Sequence, residues 1–366
     1  MEISLLPGSI VLENIGIQPS NLLQQVSSQQ LDHYIAVINW LTDYQTNINA
    51  SHRQKLEGYL QALFHLCDAH AWKPASDILS MSLTPPSPQQ FHQQLGIWGC
   101  YSELIQLYKN LLSNLDPATE LAYLCGLGNV YYSISKYSEC FQCYQKGLEI
   151  AIELDDKYNQ AQLLNNLGNV YLMQGNYDTA IDFYKQDLII ADQLKNHHLQ
   201  NILNTRLGLA YIYLGQYPQA LECYQNELIN VREIGNPEQE SIVLTSLGLV
   251  CICIEDYIQA LDYNKQGLEV AQKIGYRTQE AWGTCNVGKT LMRMNRYQEA
   301  EQHLQLALSI FREMECRRAE SEVLEALSEL YQNMNLDNLS SQCYEQALAI
   351  TQELGVTIIN PTSRKL

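Results

Sequence analysis

Positive charge is what this sequence has least of. Twenty-two Lys and Arg residues stand against 40 Asp and Glu, a formal charge of −18 at pH 7. The imbalance is spread along the chain: residues 1–120 hold 4 basic and 10 acidic side chains, and the remainder hold 18 and 30. Such a surface repels phosphate backbones, which argues against nucleic acid as a partner, and it suits basic peptide or protein surfaces. No run of 18 apolar residues occurs, so no membrane insertion is expected. The apolar start MEISLLPGSIVLENIGI has no positively charged leading region and is interrupted by Pro7, Glu13 and Asn14, so it does not read as a signal peptide. A disulfide framework is missing too. The 11 cysteines are odd in number and fall inside helical patterns, as buried thiols of a reducing cytoplasm would.

Catalytic signatures are also scarce. There is no GxSxG and no HExxH. Cys140-x-x-Cys143 is the only CxxC, and both residues lie at helix positions that read as core. His65 and His70 are five apart with no acid between them in metalloprotease fashion. His197-His198 falls in a turn, and pairs such as Asp155-Asp156 sit at helix ends, where solvated acids are ordinary. The expectation is therefore no enzyme, no cofactor and no metal ligand set.

Against these absences stands a repeat. The stretch NNLGNVYLMQGNYDTAIDFYKQDL, from Asn165 to Leu188, contains two amphipathic patterns joined by Gly175-Asn176. Leu167 and Tyr171 share one helical face; Tyr177, Ala180, Ile181, Tyr184 and Leu188 share another. Gly168 lies inside the first helix, where glycine costs about 1 kcal/mol against alanine, which predicts close helix approach there. The pattern recurs every 40 residues. Leu127, Leu167, Leu207, Leu247, Val287 and Leu327 are in phase, as are Gly128, Gly168, Gly208, Gly248, Gly288 and Ser328. Tyr137, Tyr177, Tyr217, Tyr257 and Tyr297 open the second helices, and a small residue follows three positions later. Six copies in register predict an all-α fold, an α-solenoid of antiparallel helix pairs in which each pair needs neighbours to bury its apolar stripe. Gly235 and Gly275 are placed as the left-handed residues that end second helices.

LGNVYLMQGNYDTAIDFYKQDL resembles the tetratricopeptide repeat (TPR), with Leu-Gly-x-x-Tyr in the first helix and Tyr-x-x-Ala-x-x-x-Tyr in the second. The usual repeat has 34 residues; these resemble the longer subtype of kinesin light chains, Pins-type adaptors and Rap-type receptors. The resemblance implies a right-handed superhelix of about eight helix pairs, each helix about 17 residues and about 25 Å long. It divides the chain into an N-terminal arm and helix (1–50), degenerate helical repeats (51–120), six regular repeats (121–355) and a short tail (356–366). In the first segment Pro7, Gly8, Gly16 and Pro19 predict an extended apolar arm, free to lie in the groove of the same or a second molecule. A helix is expected from Ser28 to about residue 46, and Ser51 as the cap of the next.

The same resemblance implies that first helices line a concave groove and that the protein acts by binding a peptide or protein segment there, as a scaffold, adaptor or signalling sensor. Asn129, Asn165, Asn166 and Asn169 are expected to pair with a ligand main chain, since an amide both donates and accepts. Arg206, Lys289 and Arg293, with Asn286 beside them, are expected to take acidic groups. Leu209, Ile212, Tyr213, Leu249 and Ile252 form the expected apolar floor. In the sixth repeat Ser328 and Asp337 depart from the pattern and no polar capping helix follows, which predicts self-association through that end. The alternative reading is a regulatory subunit docked on a signalling enzyme such as a caspase-like protease or a STAND-type ATPase.

Overall fold

The structure is a computed structural model that describes residues 5–45, 52–83 and 89–354. Among these residues all regular structure is helical: nineteen α-helices and one 3₁₀ turn, Pro19–Asn21. The chain divides into two compact units, Met1–Met173 and Gln174–Leu366. The division falls between the two helices of the second regular repeat, where the repeat pattern marks no boundary.

The first unit contains α1 (Gly8–Asn14), α2 (Leu22–Gln25), α3 (Leu31–Thr42), α4 (His52–Asp68), α5 (Trp72–Ser80), α6 (Phe91–Ile97), α7 (Tyr101–Leu111), α8 (Pro117–Ser133), α9 (Tyr137–Glu153) and α10 (Lys157–Met173). The N-terminal segment is not an extended arm. Pro7 stands just before α1 rather than breaking a helix, because its missing N–H is not needed in a first turn. Val11, Leu12 and Ile17 are buried, the Leu6 N–H donates to the Leu83 carbonyl, and the Tyr59 hydroxyl donates to the Leu6 carbonyl. Residues 5–17 are thus part of the unit's own core and do not occupy a groove. The expected cap Ser51 and the tail 356–366 lie outside the described residues.

The second unit contains α11 (Tyr177–Gln193), α12 (His197–Tyr213), α13 (Tyr217–Ile234), α14 (Pro237–Cys253), α15 (Tyr257–Ile274), α16 (Arg277–Arg293), α17 (Tyr297–Glu313), α18 (Arg317–Asn333) and α19 (Asp337–Leu354). Within each unit consecutive helices of the regular repeats pack on one another, and α14 also touches α16, which touches α18. Sixteen helices follow from α4 onward, and those of the regular repeats have 17 or 18 residues.

The in-phase glycines explain how the pairs close. A Cβ on Gly208 would lie 2.5 Å from the Tyr224 ring, and one on Gly128 would overlap Tyr144. Both tyrosines are 2% exposed. In the sixth repeat Ser328 fills this space and bonds to Ser340 at 3.0 Å, and the aromatic in the matching place, Tyr344, is 56% exposed. Turn geometry is as regular as packing. Gly235 and Gly275 end α13 and α15 with φ of +73° and +70°. Asp155, Lys195 and Glu315 hold the same left-handed conformation at the matching places without being glycine. Side-chain caps recur at first helices, from Asp116 to Thr119 N–H (3.0 Å), Asn196 to Leu199 (3.1 Å) and Asn236 to Gln239 (3.1 Å). Exposed ion pairs repeat with the same period: Arg277–Glu313 at 3.1 Å and Arg317–Glu353 at 3.0 Å. Solvent screening leaves each of them a minor contribution to stability.

Candidate functional site

The expected groove residues divide between the two units. In the first, Asn129 is exposed and its Oδ1 accepts a hydrogen bond from the Tyr144 hydroxyl at 2.6 Å. Asn166 and Asn169 are half-buried on α10. Asn165 is a correction. It is only 9% exposed, and its Oδ1 accepts from Asn169 Nδ2 at 3.1 Å, so it faces the packing side of α10 and offers no open amide. The reason is angular: successive residues of a helix point about 100° apart, so Asn165 and Asn166 cannot both look outward in the same direction.

In the second unit Arg206, Leu209 and Tyr213 on α12, Leu249 and Ile252 on α14, and Asn286, Lys289 and Arg293 on α16 are all partly accessible. Ile212 is the second correction: at 7% exposure it belongs to the core formed with Ala220, Tyr224 and Val231. Arg293 is the third. It forms an ion pair with Glu329 of α18 at 2.9 Å, so an acidic ligand must displace Glu329 to reach it. Arg206 makes no ion pair among the described residues, and its Nε is buried without a hydrogen-bond partner. Lys289 stays outside the ion pairs as well, although its charge opposes the upward push that burial and Glu322 give the Glu325 carboxyl.

These first helices curve toward one another. Tyr213 of α12 stacks on Tyr177 with ring centres 4.9 Å apart. Burial raises its phenol above the ordinary range, with Tyr177 and Glu322 adding to the effect and Arg318 opposing it. Arg318 and Glu322 belong to α18, with α14 and α16 between. Packed helices stand about 8–10 Å apart, so three steps along a flat layer would separate these charges from Tyr213 by about 25 Å. Their influence on the phenol requires a concave inner face. Its charges are mixed: Arg206, Lys289, Arg293 and Arg318 against Glu322, Glu325 and Glu329.

The cysteines carry no chemistry that competes with this face. All eleven are free. Burial pushes Cys140 up to about 12 and Cys143 up to about 11, so the CxxC thiols stay protonated near neutral pH and fill the packing positions expected of them. A buried polar chain in the first unit is also structural in character: His92 Nδ1 lies 2.6 Å from the Tyr108 hydroxyl, Tyr108 packs on Tyr123, and Tyr123 meets Ser76 at 2.8 Å. Burial lowers His92 to about 4, which keeps it neutral.

Helix pairs in register, close-packed through one small residue per first helix, define a helical-repeat protein. The family follows from comparison. A family model described as tetratricopeptide repeat matches residues 119–188 and 199–273, and a second of the same description matches 284–314. Tetratricopeptide repeats therefore occupy these stretches of the chain. No curated protein matches it significantly. Among solved structures it is similar to aspartyl phosphate phosphatase F from Bacillus subtilis (14% identity, TM-score 0.59, covering 98% of this chain and 99% of that one). It is similar to a STAND protein with a tetratricopeptide-repeat sensor from Pyrococcus horikoshii (13%, TM-score 0.59, 95% of this chain and 52% of that one). A third similar structure is the Rap conjugation gene regulator of plasmid pLS20 in complex with the Phr* peptide (15%, TM-score 0.51, 92% and 88%). At these identities the likeness is one of fold.

Proposed function

We propose that the chain is a non-catalytic interaction module and that the inner face of α12, α14 and α16 holds a peptide or an extended protein segment. The observation that carries this is Arg206. A guanidinium whose Nε is buried without a partner is costly in a finished core and useful beside a ligand carboxylate. Leu209 and Tyr213 on the same helix, with Leu249 and Ile252 on α14, supply apolar anchoring area, while Asn286 and Lys289 extend the donor set. The acids of α18 make the ligand bipolar: an acidic group toward Arg206 and Lys289, a basic one toward Glu322 and Glu325. In the first unit Asn129, Asn166 and Asn169 form a separate amide-bearing face suited to main-chain contacts. The fold of the pLS20 regulator, whose structure contains a peptide, supports this reading.

The test is peptide phage display on the immobilised full chain, followed by affinity measurement of the selected peptides. Arg206→Ala is expected to weaken binding of acid-containing peptides at least tenfold, the usual loss for a buried charge-assisted contact of about 1.5–3 kcal/mol, with the melting temperature unchanged. Selected peptides that bind the variant equally well sink the assignment. Turnover of an aspartyl phosphate by the purified chain would overturn the non-catalytic part. The likeness of fold to the STAND sensor supports the second reading, a sensor arm docked on a signalling enzyme; that reading requires co-purification with such an enzyme at fixed stoichiometry.

A further inference from the structure

Among the described residues one cluster meets the geometry of a metal site, and the face discussed above does not use it. His33, in the first turn of α3, and His65, in the last turn of α4, turn their Nδ1 atoms toward each other at 3.3 Å. Asp68 follows His65 by one helical turn. One ring nitrogen of each histidine and a carboxylate oxygen of Asp68 lie within 4.8 Å of one another. Both rings are half-buried and Asp68 is exposed, so the point they surround is open to solvent on one side. The sequence reading weighed His65 against His70; the fold supplies His33 instead, from the neighbouring helix.

We propose that His33, His65 and Asp68 bind a divalent transition metal, with zinc as the best match in ligand type and geometry. Zinc–nitrogen bonds of about 2.0–2.1 Å at tetrahedral angles place two ligand nitrogens about 3.3–3.4 Å apart, which is the separation seen. A hydrogen bond between the rings is the competing account, and 3.3 Å is long for one. Two neutral imidazoles and one carboxylate form a set that zinc takes with water in the remaining position. Magnesium demands oxygen-rich octahedral surroundings and does not fit. The acidic chain also raises the cation concentration near its surface.

The place of the site gives it a role. His33 lies near the start of α3 and His65 near the end of α4, so the two meet at the open end of a helical hairpin. There Gln30 Nε2 already donates to the Ala69 carbonyl at 2.7 Å. A metal at this end clamps the hairpin on which α1 packs. Neither ring's Nε2 has a protein partner among the described residues. Outer-shell partners of that kind are worth about 10–100-fold in affinity, so the site is expected to exchange its metal readily rather than hold it permanently.

The experiment titrates the full chain with cobalt(II) and zinc chloride, following cobalt absorption and calorimetric heat, with magnesium as control. One equivalent of cobalt is expected, with ligand-field bands and without the near-ultraviolet thiolate charge transfer that the cysteines would produce. His33→Ala and His65→Ala each weaken it at least tenfold, as loss of a direct ligand must when an outer partner alone is worth that much. Asp68→Asn, at an exposed position that folding does not need, also weakens it. Zinc slows hydrogen exchange in α3 of the wild type and not of the variants. Equal metal binding by wild type and Asp68→Asn, or a cobalt spectrum of thiolate character that survives both histidine variants, overturns the proposal.

Discussion

Glu227 on α13 should contribute stability at pH 5 that is gone at pH 8, and Glu227→Gln should remove that contribution. The side chain is 0% exposed, and burial pushes its carboxyl from 4.5 up to about 7, against the smaller downward effects of Gln239 and Thr205. Gln239 Nε2 donates to Oε1 at 2.8 Å, and Thr205 Oγ1 lies 2.9 and 3.0 Å from the two carboxyl oxygens and 3.1 Å from the Asn201 carbonyl. A protonated Glu227 fits this arrangement: it donates to Thr205, which donates on to Asn201. An ionised one takes the Thr205 hydrogen and leaves the Asn201 carbonyl without it. The sign follows from proton counting. Between about 4.5 and about 7 the folded chain holds a proton that the unfolded chain has released, so stability falls as pH rises through that window. The group's contribution is whole below the lower value and lost above the upper one. A displacement of that size corresponds to about 3 kcal/mol. In a unit of this length that is about 6–12 °C in melting temperature. Glutamine has the same shape, donates to Thr205, accepts from Gln239 and does not titrate. Urea and thermal unfolding by circular dichroism at pH 5 and pH 8, with hydrogen exchange in α12–α14 as the local readout, decide the matter. If the difference between wild type and Glu227→Gln is the same at both pH values, the buried-acid argument is wrong.

Three further outcomes are expected. Gly208→Ala places a methyl 2.5 Å from the Tyr224 ring and should destabilise the second unit by about 1–3 kcal/mol, read in the same unfolding assays. Lys195→Gly should stabilise by about 1 kcal/mol, because Lys195 holds a left-handed conformation (φ +52°) that costs an L-residue about that much; an unchanged melting temperature would contradict it. If the chain associates through its last helix pair, as the exposed Leu336, Leu339, Tyr344 and Leu348 suggest, light scattering should show dimers for the wild type and monomers for Leu339→Glu/Tyr344→Glu. A monomeric wild type at high micromolar concentration removes the idea.

Legibility in the sequence followed periodicity. Leu207, Gly208, Tyr217, Ala220 and Tyr224 recur because every helix pair solves the same packing problem, so their spacing alone announces paired helices of about 17 residues. The positions of Gly235 and Gly275 were readable for the same reason: a left-handed helix end favours one residue type. The candidate face was readable only in part. That Arg206, Lys289 and Asn286 are surplus to packing shows in their failure to recur. That Asn165 points inward, that Ile212 is core and that Arg293 is held by Glu329 does not, since each depends on the rotation of a helix about its axis or on a partner one repeat away.

By itself the sequence determined the all-α class, the repeat length, the small residue at each helix crossing and the acidic balance, all of which are local or strictly periodic. Tertiary structure alone decided what brings distant residues together: Tyr213 under the influence of Glu322, Glu227 sealed between Thr205 and Gln239, His33 against His65. Helix-pair packing is encoded over a few turns, where spacing is visible. Curvature accumulates from small rotations at every interface, and no single stretch of sequence records their sum.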